Sequence, residues 1–288
     1  AFEDVRNSIL DVQFELSGTQ GTRIFNVATS ANDIWEEYLL REKYPERYKG
    51  IDVGLSTLDE ATNGFKKGSL NIVVGEVGKG KSTILLNWAA EVFSRGYNVI
   101  FFSFEMPLWQ VQARLVAREA MVSYEQFQKG KLTDEQKERL KAVFKEEGPG
   151  SFFRNRDKGN YFLIVQEADD CTVPFIESVI NKHHVLGPPA AVFCDYLGNM
   201  TSLQVLKARG NLYEHAGECA KDLRKLAKIY DFACFTAQQL RREGLEKGRK
   251  KIEEDPESFN PQTEDVAGSK EAVNVADAAI FFCPNPKE

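Results

Sequence analysis

The sequence predicts an α/β protein with a mainly parallel sheet covered by helices on both faces. Strand-like and helix-like segments alternate from about residue 51 onward, an order that produces a parallel sheet. The strand-like segments are nearly continuous apolar runs, typical of strands buried on both faces. A glycine-rich segment also stands directly between one such strand and a helix, where phosphate-binding loops occur.

The composition is that of an ordinary globular protein. The chain has 288 residues, of which 42% are hydrophobic and 28% charged, so disordered and fibrous classes are excluded and one or two domains are expected. No apolar run approaches the roughly 18–20 residues that cross a bilayer. The first residues also lack the apolar core of a signal peptide. We therefore expect a cytoplasmic protein without a membrane partner.

Cysteine usage and charge exclude further classes. The five cysteines are scattered without a C-x-x-C pair, which argues against a disulfide framework or a zinc site and for a reduced compartment. The three histidines make no metal-binding pattern. The formal net charge is −6, so any binding of nucleic acid must come from local basic patches.

Residues 1–50 differ from the rest of the chain and form the first predicted segment. Residues 17–22 suggest a flexible joint, and Ser30 with Asp33 matches a capping box. We predict a short amphipathic helix over 31–42, because an apolar stripe recurs there at helical spacing. Two interpretations stay open: the stripe packs on its own domain, or it docks on a neighbouring subunit. The stripe consists of Ile34, Trp35, Tyr38 and Leu39.

Residues 51–288 form the second predicted domain. Helices are predicted over 81–94 and 108–121, and Ser123/Gln126 and Thr133/Gln136 match two further capping boxes. A charge-rich stretch at 241–266 is too long for an ordinary connection, which indicates a functional or mobile segment. Strands are predicted over 70–74, 98–102, 161–165, 190–194, 232–236 and 278–283.

A phosphate-binding loop is predicted at residues 75–82, whose sequence GEVGKGKS fits G-x-x-x-x-G-K-[ST]. Its backbone amides and the start of the following helix would surround phosphate oxygens. Lys81 would reach the β- and γ-phosphates, the Ser82 hydroxyl would ligate Mg²⁺, and Lys79 would be a spectator. The alternative is a glycine-rich turn that matches by coincidence. The predicted nucleotide-binding set is Gly75, Glu76, Val77, Gly78, Lys79, Gly80, Lys81, Ser82 and Thr83.

Two carboxylates complete the predicted hydrolytic site. Asp195 follows the apolar strand AAVFC at the carboxyl edge of the sheet, where it would hold Mg²⁺ through water. Glu105 ends the strand after the phosphate-loop helix and is the candidate general base that activates water. The alternatives are a strand-end turn for Asp195 and a helix N-terminal acid for Glu105.

Gln238 and Gln239 follow the predicted strand FACFT at the same edge. A neutral amide at this position can contact the γ-phosphate and report its presence to the segment that follows. The alternative, that these are simply two polar residues at the end of a strand, explains the spacing equally well.

These residues resemble a known family. The phosphate loop and the other motifs occur in the order and at the spacing of the RecA-like motor domain of DnaB-type hexameric replicative DNA helicases. The resemblance covers about residues 51–283, and residues 195–198 and 236–239 are closer to its T4-like phage branch. The further motifs are Leu58-Asp59-x-x-Thr62-x-Gly64-Phe65-x-x-Gly68-x-Leu70, Phe102-Ser103-Phe104-Glu105-Met106, Asp195-Tyr196-Leu197, Gln239-Leu240-x-Arg242 and Asp265-x-x-x-Ser269.

The resemblance implies a RecA-like P-loop NTPase core preceded by a linker helix. It implies an ATPase that assembles into a hexameric ring around single-stranded DNA, uses ATP and Mg²⁺, and works with a primase or a helicase loader in a bacterial or phage-infected cytoplasm. Glu105 would be the catalytic glutamate and Asp195 the Walker B acid, and Gln239 would link nucleotide state to DNA. DNA loops would lie at 199–213 and 240–266. Their basic residues are Lys207, Arg209, Arg241, Arg242, Lys247, Arg249, Lys250 and Lys251.

Two departures from the family pattern affect these expectations. The family's motor domain continues into a basic hairpin with an arginine finger, whereas Arg249 is the last arginine here. The chain is therefore expected to be truncated, or to hydrolyse ATP differently or weakly. The family's N-terminal domain is missing, so residues 1–50 would hold its tail and the linker helix. That linker helix packs on the adjacent subunit in the family, which favours the docking interpretation of 31–42.

The predicted function is an ATP-dependent motor that moves on single-stranded DNA and unwinds duplex. Two other functions share part of the evidence: a RecA-like recombinase filament, which would use the same chemistry, and a nucleotide-binding regulator without productive hydrolysis. The missing arginine finger favours the regulator, and the intact set of Lys81, Ser82, Glu105 and Asp195 disfavours it.

Overall fold

The computed structural model describes residues 31–144, 159–167, 171–208, 212–240 and 270–282. The chain divides into two compact units, Ala1–Tyr48 and Lys49–Glu288. No helix in the described ranges is both long and apolar enough to cross a bilayer.

The described part of the first unit consists of helices α1 (Ala31–Lys43) and α2 (Pro45–Tyr48). The helix predicted over 31–42 is thus confirmed, whereas Ser30 of its predicted capping box lies outside the described residues. The side chains of the apolar stripe are between 42% and 64% exposed. Trp35 and Tyr38 stack on each other with ring centroids 5.4 Å apart. The stripe is therefore an exposed apolar surface of this helix, with two stacked aromatic rings in it.

The second unit is built on a six-stranded sheet in the order β3-β2-β4-β5-β1-β6, and every pairing is parallel. The predicted parallel α/β architecture is confirmed. The strands are β1 (Leu70–Gly75), β2 (Val99–Ser103), β3 (Phe162–Gln166), β4 (Ala191–Asp195), β5 (Ala233–Gln239) and β6 (Ala278–Phe282).

All six predicted strands exist, with small shifts at their ends. Four of them begin one residue later than the apolar run predicts, and Cys283, at the predicted end of β6, lies outside the described residues. The largest difference is in β5, which continues past residue 236 to Gln239. Pairing with β1 continues to Gly75 opposite Gln239, so the ladder extends over polar residues that an apolar pattern does not mark. Gln238 and Gln239 therefore belong to the strand and do not follow it.

Helices cover both faces of the sheet. The helix predicted over 81–94 has those bounds, whereas the one predicted over 108–121 ends at Glu119, followed by Met121 in the left-handed region at φ 51°. The predicted capping box of Thr133 and Gln136 forms with both of its bonds, and at the other predicted box the Ser123 hydroxyl accepts from the Gln126 amide. The helices are α3 (Ser56–Thr62), α4 (Lys81–Ser94), α5 (Leu108–Glu119), α6 (Tyr124–Gln128), α7 (Asp134–Phe144), α8 (Val173–His183), α9 (Leu203–Ala208), α10 (Leu212–Tyr230) and α11 (Lys270–Val275).

Alternate residues of each strand enter two separate cores. On one face, Phe193 stacks on Phe235 with centroids 4.6 Å apart, and Phe235 meets Phe65 edge to face at 5.0 Å. On the other face, Cys194 and Cys234 pack among residues of α8 and α10. Burial of both faces explains the continuous apolar character of the strands and stabilises the sheet edge at which the polar residues end.

The segment before β1 closes on itself at a contact between two glycines. Ile51 and Phe65 form an antiparallel bridge, and a Cβ atom on Gly50 would lie 2.3 Å from the Gly64 carbonyl carbon. Within the enclosed loop, the buried Asp59 carboxylate accepts hydrogen bonds from the backbone amides of Val53 and Gly54 at 2.8 and 2.9 Å. We call the contact between Gly50 and Gly64 the glycine seam.

Candidate nucleotide site

The sheet order brings the predicted site residues to one edge. The strands β2, β4, β5 and β1 are consecutive neighbours, and because all are parallel their carboxyl ends lie at the same edge. The phosphate loop follows β1, the Glu105 turn follows β2, and Asp195 and Gln239 end β4 and β5. Residues far apart in the sequence therefore meet at this edge.

Glycine is required in the phosphate loop for two physical reasons. Gly78 and Gly80 adopt φ values of 73° and 95°, in the left-handed region that side chains rarely occupy. Gly80 is also the N-cap of α4, so the free amides of the first turn of α4 lie at the loop. A Cβ on Gly75 would lie 3.0 Å from the Phe282 carbonyl oxygen. Val77 and Lys79 are exposed, and the role of Lys79 as a spectator stays a prediction.

Lys81 is buried inside the loop. Its Nζ donates to the carbonyl oxygens of Gly75 at 3.1 Å and Glu76 at 2.9 Å. Burial lowers the pKa of Lys81, and the charges of Glu105, Asp195 and Glu76 oppose that shift. The ammonium group therefore lies at the center of the loop, close to three carboxylates.

Ser82 and Asp195 are bonded to each other. The Ser82 hydroxyl donates to Asp195 Oδ1 at 2.9 Å, whereas Asp195 Oδ2 is buried and has no hydrogen-bond partner among the described residues. Burial raises the pKa of Asp195 to about 6, the Ser82 bond lowers it, and the Glu105 charge adds to the rise. A buried oxygen of this kind needs a compensating partner. The hydroxyl, the carboxylate and the unpartnered oxygen suit a Mg²⁺ ion, so the residues present fit the expected metal.

Glu105 lies in a turn between a strand and a helix. The strand β2 ends at Ser103, two residues before Glu105, and α5 begins at Leu108 after Pro107. The prediction that Glu105 ends the strand is therefore wrong by two residues, because pairing with β4 stops where Ser103 faces Asp195. The Glu105 side chain is exposed, and its charge shifts the pKa values of Lys81, Asp195 and Tyr196. It therefore lies near the phosphate loop and open to solvent.

Gln239 is opposite Gly75 in the β1–β5 register, and its side chain lies near the Tyr196 hydroxyl. Burial and the charges of Glu105 and Asp195 raise the pKa of the Tyr196 hydroxyl, and the nearby Gln239 side chain opposes that rise. Tyr196 follows Asp195 through a cis peptide bond. The predicted sensor amide therefore lies near the residue next to the predicted metal ligand.

Comparison with known proteins identifies the family. The model of the DnaB-like helicase C-terminal domain matches residues 50–283. The chain belongs to this family. The resemblance noted from the motifs is thereby confirmed, and the matched range includes every element of the site.

Relatives of the DnaB-like domain are longer than this chain. The replicative DNA helicase DnaB of Helicobacter pylori (strain ATCC 700392 / 26695) is 28% identical over 193 residues, which is 67% of this chain and 37% of the relative. The corresponding protein of Leifsonia xyli subsp. xyli is 25% identical over 241 residues, 83% of this chain and 50% of the relative. The chain thus spans half or less of the length of these curated relatives.

Two solved structures share the fold of the DnaB-like domain. The ATPase domain of a phage-type helicase superposes with a TM-score of 0.73 at 18% identity, covering 92% of this chain and 86% of that one. A DnaB-like replicative helicase, solved in a study of its interactions with primase, superposes with a TM-score of 0.73 at 19% identity. The superposition covers 96% of this chain and 61% of that one. The RecA-like architecture predicted from the motifs is therefore confirmed.

Arg114 of α5 also lies at the site, although the motifs of the DnaB-like domain did not indicate it. Its guanidinium donates to the Thr83 hydroxyl at 3.1 Å, lies 4.3 Å from the center of the Tyr124 ring, and lowers the pKa of Asp195. Its Nε is buried and has no hydrogen-bond partner in the described segments. The available signal was an arginine near the middle of a helix that begins three residues after Glu105, which is too common to single out.

The predicted DNA-binding residues are mostly beyond the described ranges. Lys207 is exposed near the end of α9. The others lie outside the described residues, so their predicted role stays a prediction: Arg209, Arg241, Arg242, Lys247, Arg249, Lys250 and Lys251.

Proposed function

We propose that this chain is the ATP-hydrolysing motor domain of a replicative DNA helicase. The observation that best supports the proposal is the bond between Ser82 and Asp195, beside which the second, buried carboxylate oxygen has no hydrogen-bond partner within the ranges that the structure describes. The charge of Lys81 also acts on this carboxylate. Such an arrangement suits a nucleoside triphosphate with its divalent cation. Membership of the DnaB-like family supports the same function.

The chemistry follows from the positions of these side chains. The loop amides and Lys81 bind the β- and γ-phosphates, and Ser82 and Asp195 would hold Mg²⁺. When bound, Mg²⁺ neutralises charge on the phosphate oxygens. Glu105 accepts a proton from the water that attacks the γ-phosphorus, so the P–O bond to ADP breaks and inorganic phosphate forms. An exposed carboxylate beside the loop is suited to this step because water reaches it freely.

The energy of hydrolysis would drive movement on single-stranded DNA. Lys207, Arg209 and the basic cluster at 241–251 would contact DNA phosphates, and Gln239 would sense the γ-phosphate. The exposed stripe of α1 would dock on a neighbouring subunit and help to build a hexameric ring. A primase or a helicase loader is a further proposed partner, since one structural neighbour was studied for its interactions with primase. The proposed location is the cytoplasm.

The test is ATP turnover with and without oligo(dT). Lys81→Ala should abolish turnover through lost phosphate binding, and Glu105→Gln should lower kcat about 100-fold or more while nucleotide still binds. Lys129→Ala and Glu125→Gln are matched controls, because Lys129, which directly follows α6, forms an exposed ion pair with Glu125 of α6. If ATP turnover were unchanged in both Lys81→Ala and Glu105→Gln, the proposed location of the hydrolytic site would be wrong.

Imaging separates the motor from a filament. Closed rings in the presence of ATP and DNA support a helicase, and open filaments on DNA support a recombinase. Steady-state turnover would exclude a regulator that binds nucleotide without hydrolysis.

A further inference from the structure

The segment that follows β4 contacts the turn that contains Glu105. Asn199, the last residue of a short 3₁₀ turn (Leu197–Asn199), donates its Nδ2 to the Phe104 carbonyl oxygen at 3.4 Å. The Phe104 amide donates to the Asp195 carbonyl oxygen at 2.9 Å. Phe104 is thus bonded through both its carbonyl and its amide to the segment 195–199, and it immediately precedes Glu105.

The backbone on both sides of Glu105 is fixed by buried groups. Phe104 and Met106 are buried, and the buried Ser103 hydroxyl donates to the Met106 carbonyl oxygen at 2.7 Å. Glu105 itself is exposed. The position of its carboxylate therefore depends on contacts made by its neighbours in the chain, including the bond from Asn199.

A short and well-anchored path joins Asn199 to α9. The Thr201 amide donates to the Cys171 carbonyl oxygen at 2.8 Å, and the Ser202 amide donates to His215 Nδ1 at 2.9 Å. Met200 and Ser202 are buried. The Ser202 hydroxyl accepts a hydrogen bond from the amide of Val205 in α9. Since packed segments transmit displacements, a shift of α9 would reach Asn199 through only three residues.

We propose that Asn199 is a positioning residue that couples DNA contact at α9 to the placement of Glu105. The inference rests on the proposed function, in which Lys207 of α9 contacts DNA and Glu105 activates water. DNA phosphate bound at Lys207 displaces α9, Asn199 moves with it, and the Phe104 carbonyl follows. A displacement of about 1 Å at a catalytic group changes rates by up to roughly 100-fold, so a small movement is sufficient.

The experiment compares the intact protein with Asn199→Ala and with a matched control, Asn98→Ala. Asn98 also donates a side-chain amide to a backbone carbonyl, that of Pro188 at 3.2 Å, and it precedes β2 at the opposite edge of the sheet. Stimulation of ATP turnover by oligo(dT) should fall about threefold or more in Asn199→Ala, with KM for ATP within about twofold of wild type. The Asn98→Ala protein should keep the wild-type stimulation.

Hydrogen exchange supplies a second readout that does not need turnover. In the wild-type protein, oligo(dT) should change the exchange of the peptide 102–108, and in Asn199→Ala this response should be lost. Unchanged stimulation and an unchanged exchange response in Asn199→Ala would overturn the coupling alone. Equal loss of basal and stimulated turnover would also overturn it, because that pattern indicates a merely structural role. A wild-type protein without DNA-stimulated turnover would overturn the proposed function first.

Discussion

The Ser82 hydroxyl donates to Asp195 Oδ1 at 2.9 Å, although the two residues are 113 positions apart in the chain. This bond joins the first turn of α4 to the end of β4, and the other carboxylate oxygen is buried with no hydrogen-bond partner in the described part of the chain. Above about pH 6 the ionised carboxylate therefore destabilises the folded protein.

Replacement of Asp195 by Asn should stabilise the nucleotide-free protein above about pH 6. Burial raises the pKa of Asp195 from 3.8 to about 6, so ionisation costs free energy in the folded state above that range. The variant avoids this cost, so its free energy of unfolding should exceed that of the wild type by on the order of 1–2 kcal/mol at about pH 8. The difference should shrink as the pH falls through about 6 toward about 4. Thermal denaturation across this pH range measures the difference.

Asp134→Asn is the control, because the pKa of Asp134 is lowered in the folded protein whereas that of Asp195 is raised. The hydrogen bond from Lys137 lowers the pKa of Asp134, so its ionised form is favoured in the folded state and its replacement should not stabilise. Equal melting temperatures of Asp195→Asn and wild type at pH 8 would contradict the prediction.

Replacement of Arg114 by Ala should raise KM for ATP several-fold. The change removes a cation beside Thr83 and Asp195 and leaves the negative charge of the site less compensated. Steady-state kinetics measure the effect. Arg118→Ala is the control from the same helix, because Arg118 pairs with Glu91 and Glu119. The same KM in both variants would show that Arg114 does not contribute to nucleotide binding.

Replacement of Gln239 by Ala should lower DNA-stimulated kcat about 10-fold with little change in KM. Tyr196→Phe, which removes only the hydroxyl that lies near Gln239, should show a smaller loss in the same direction. Tyr161→Phe is the matched control, because the Tyr161 hydroxyl donates to the Gly187 carbonyl oxygen at the opposite edge of the sheet. A loss in Tyr161→Phe as large as that in Tyr196→Phe would point to general destabilisation.

Replacement of Trp35 and Tyr38 by Ala should lower the mass of the assembly in solution. These stacked rings are 60% and 53% exposed, so a subunit contact that buries them would lose much apolar area. Light scattering after size-exclusion chromatography measures the mass. Val185→Ala, at a side chain that is 89% exposed in the other unit, is the control for lost surface hydrophobicity. An unchanged mass would indicate that the stripe has another role.

The strands and the phosphate loop were predictable because their causes are local. Strands buried on both faces need continuous apolar runs, and a loop with positive φ values needs glycine at defined spacing. Asp195 was located by the same logic, as the first charged residue after an apolar run. The sheet edge then brought these residues together without further assumptions.

The remaining site residues depend on contacts that the local sequence does not encode. The extension of β5 through Gln239 arises from pairing with β1, a partner more than 160 residues earlier in the chain. Arg114 and Asn199 are ordinary residues of a helix and a turn, and they gain significance only because Thr83 and Phe104 lie within reach. Such partners follow from the tertiary fold and not from a motif.

The glycine seam has a practical consequence for anyone who expresses the catalytic domain alone. Gly50 touches Gly64 so closely that neither position can accept a methyl group, and the loop clasped by Asp59 depends on that closure. A shortened protein should therefore begin before residue 49, because a start beyond Gly50 would remove the contact that closes the segment preceding β1.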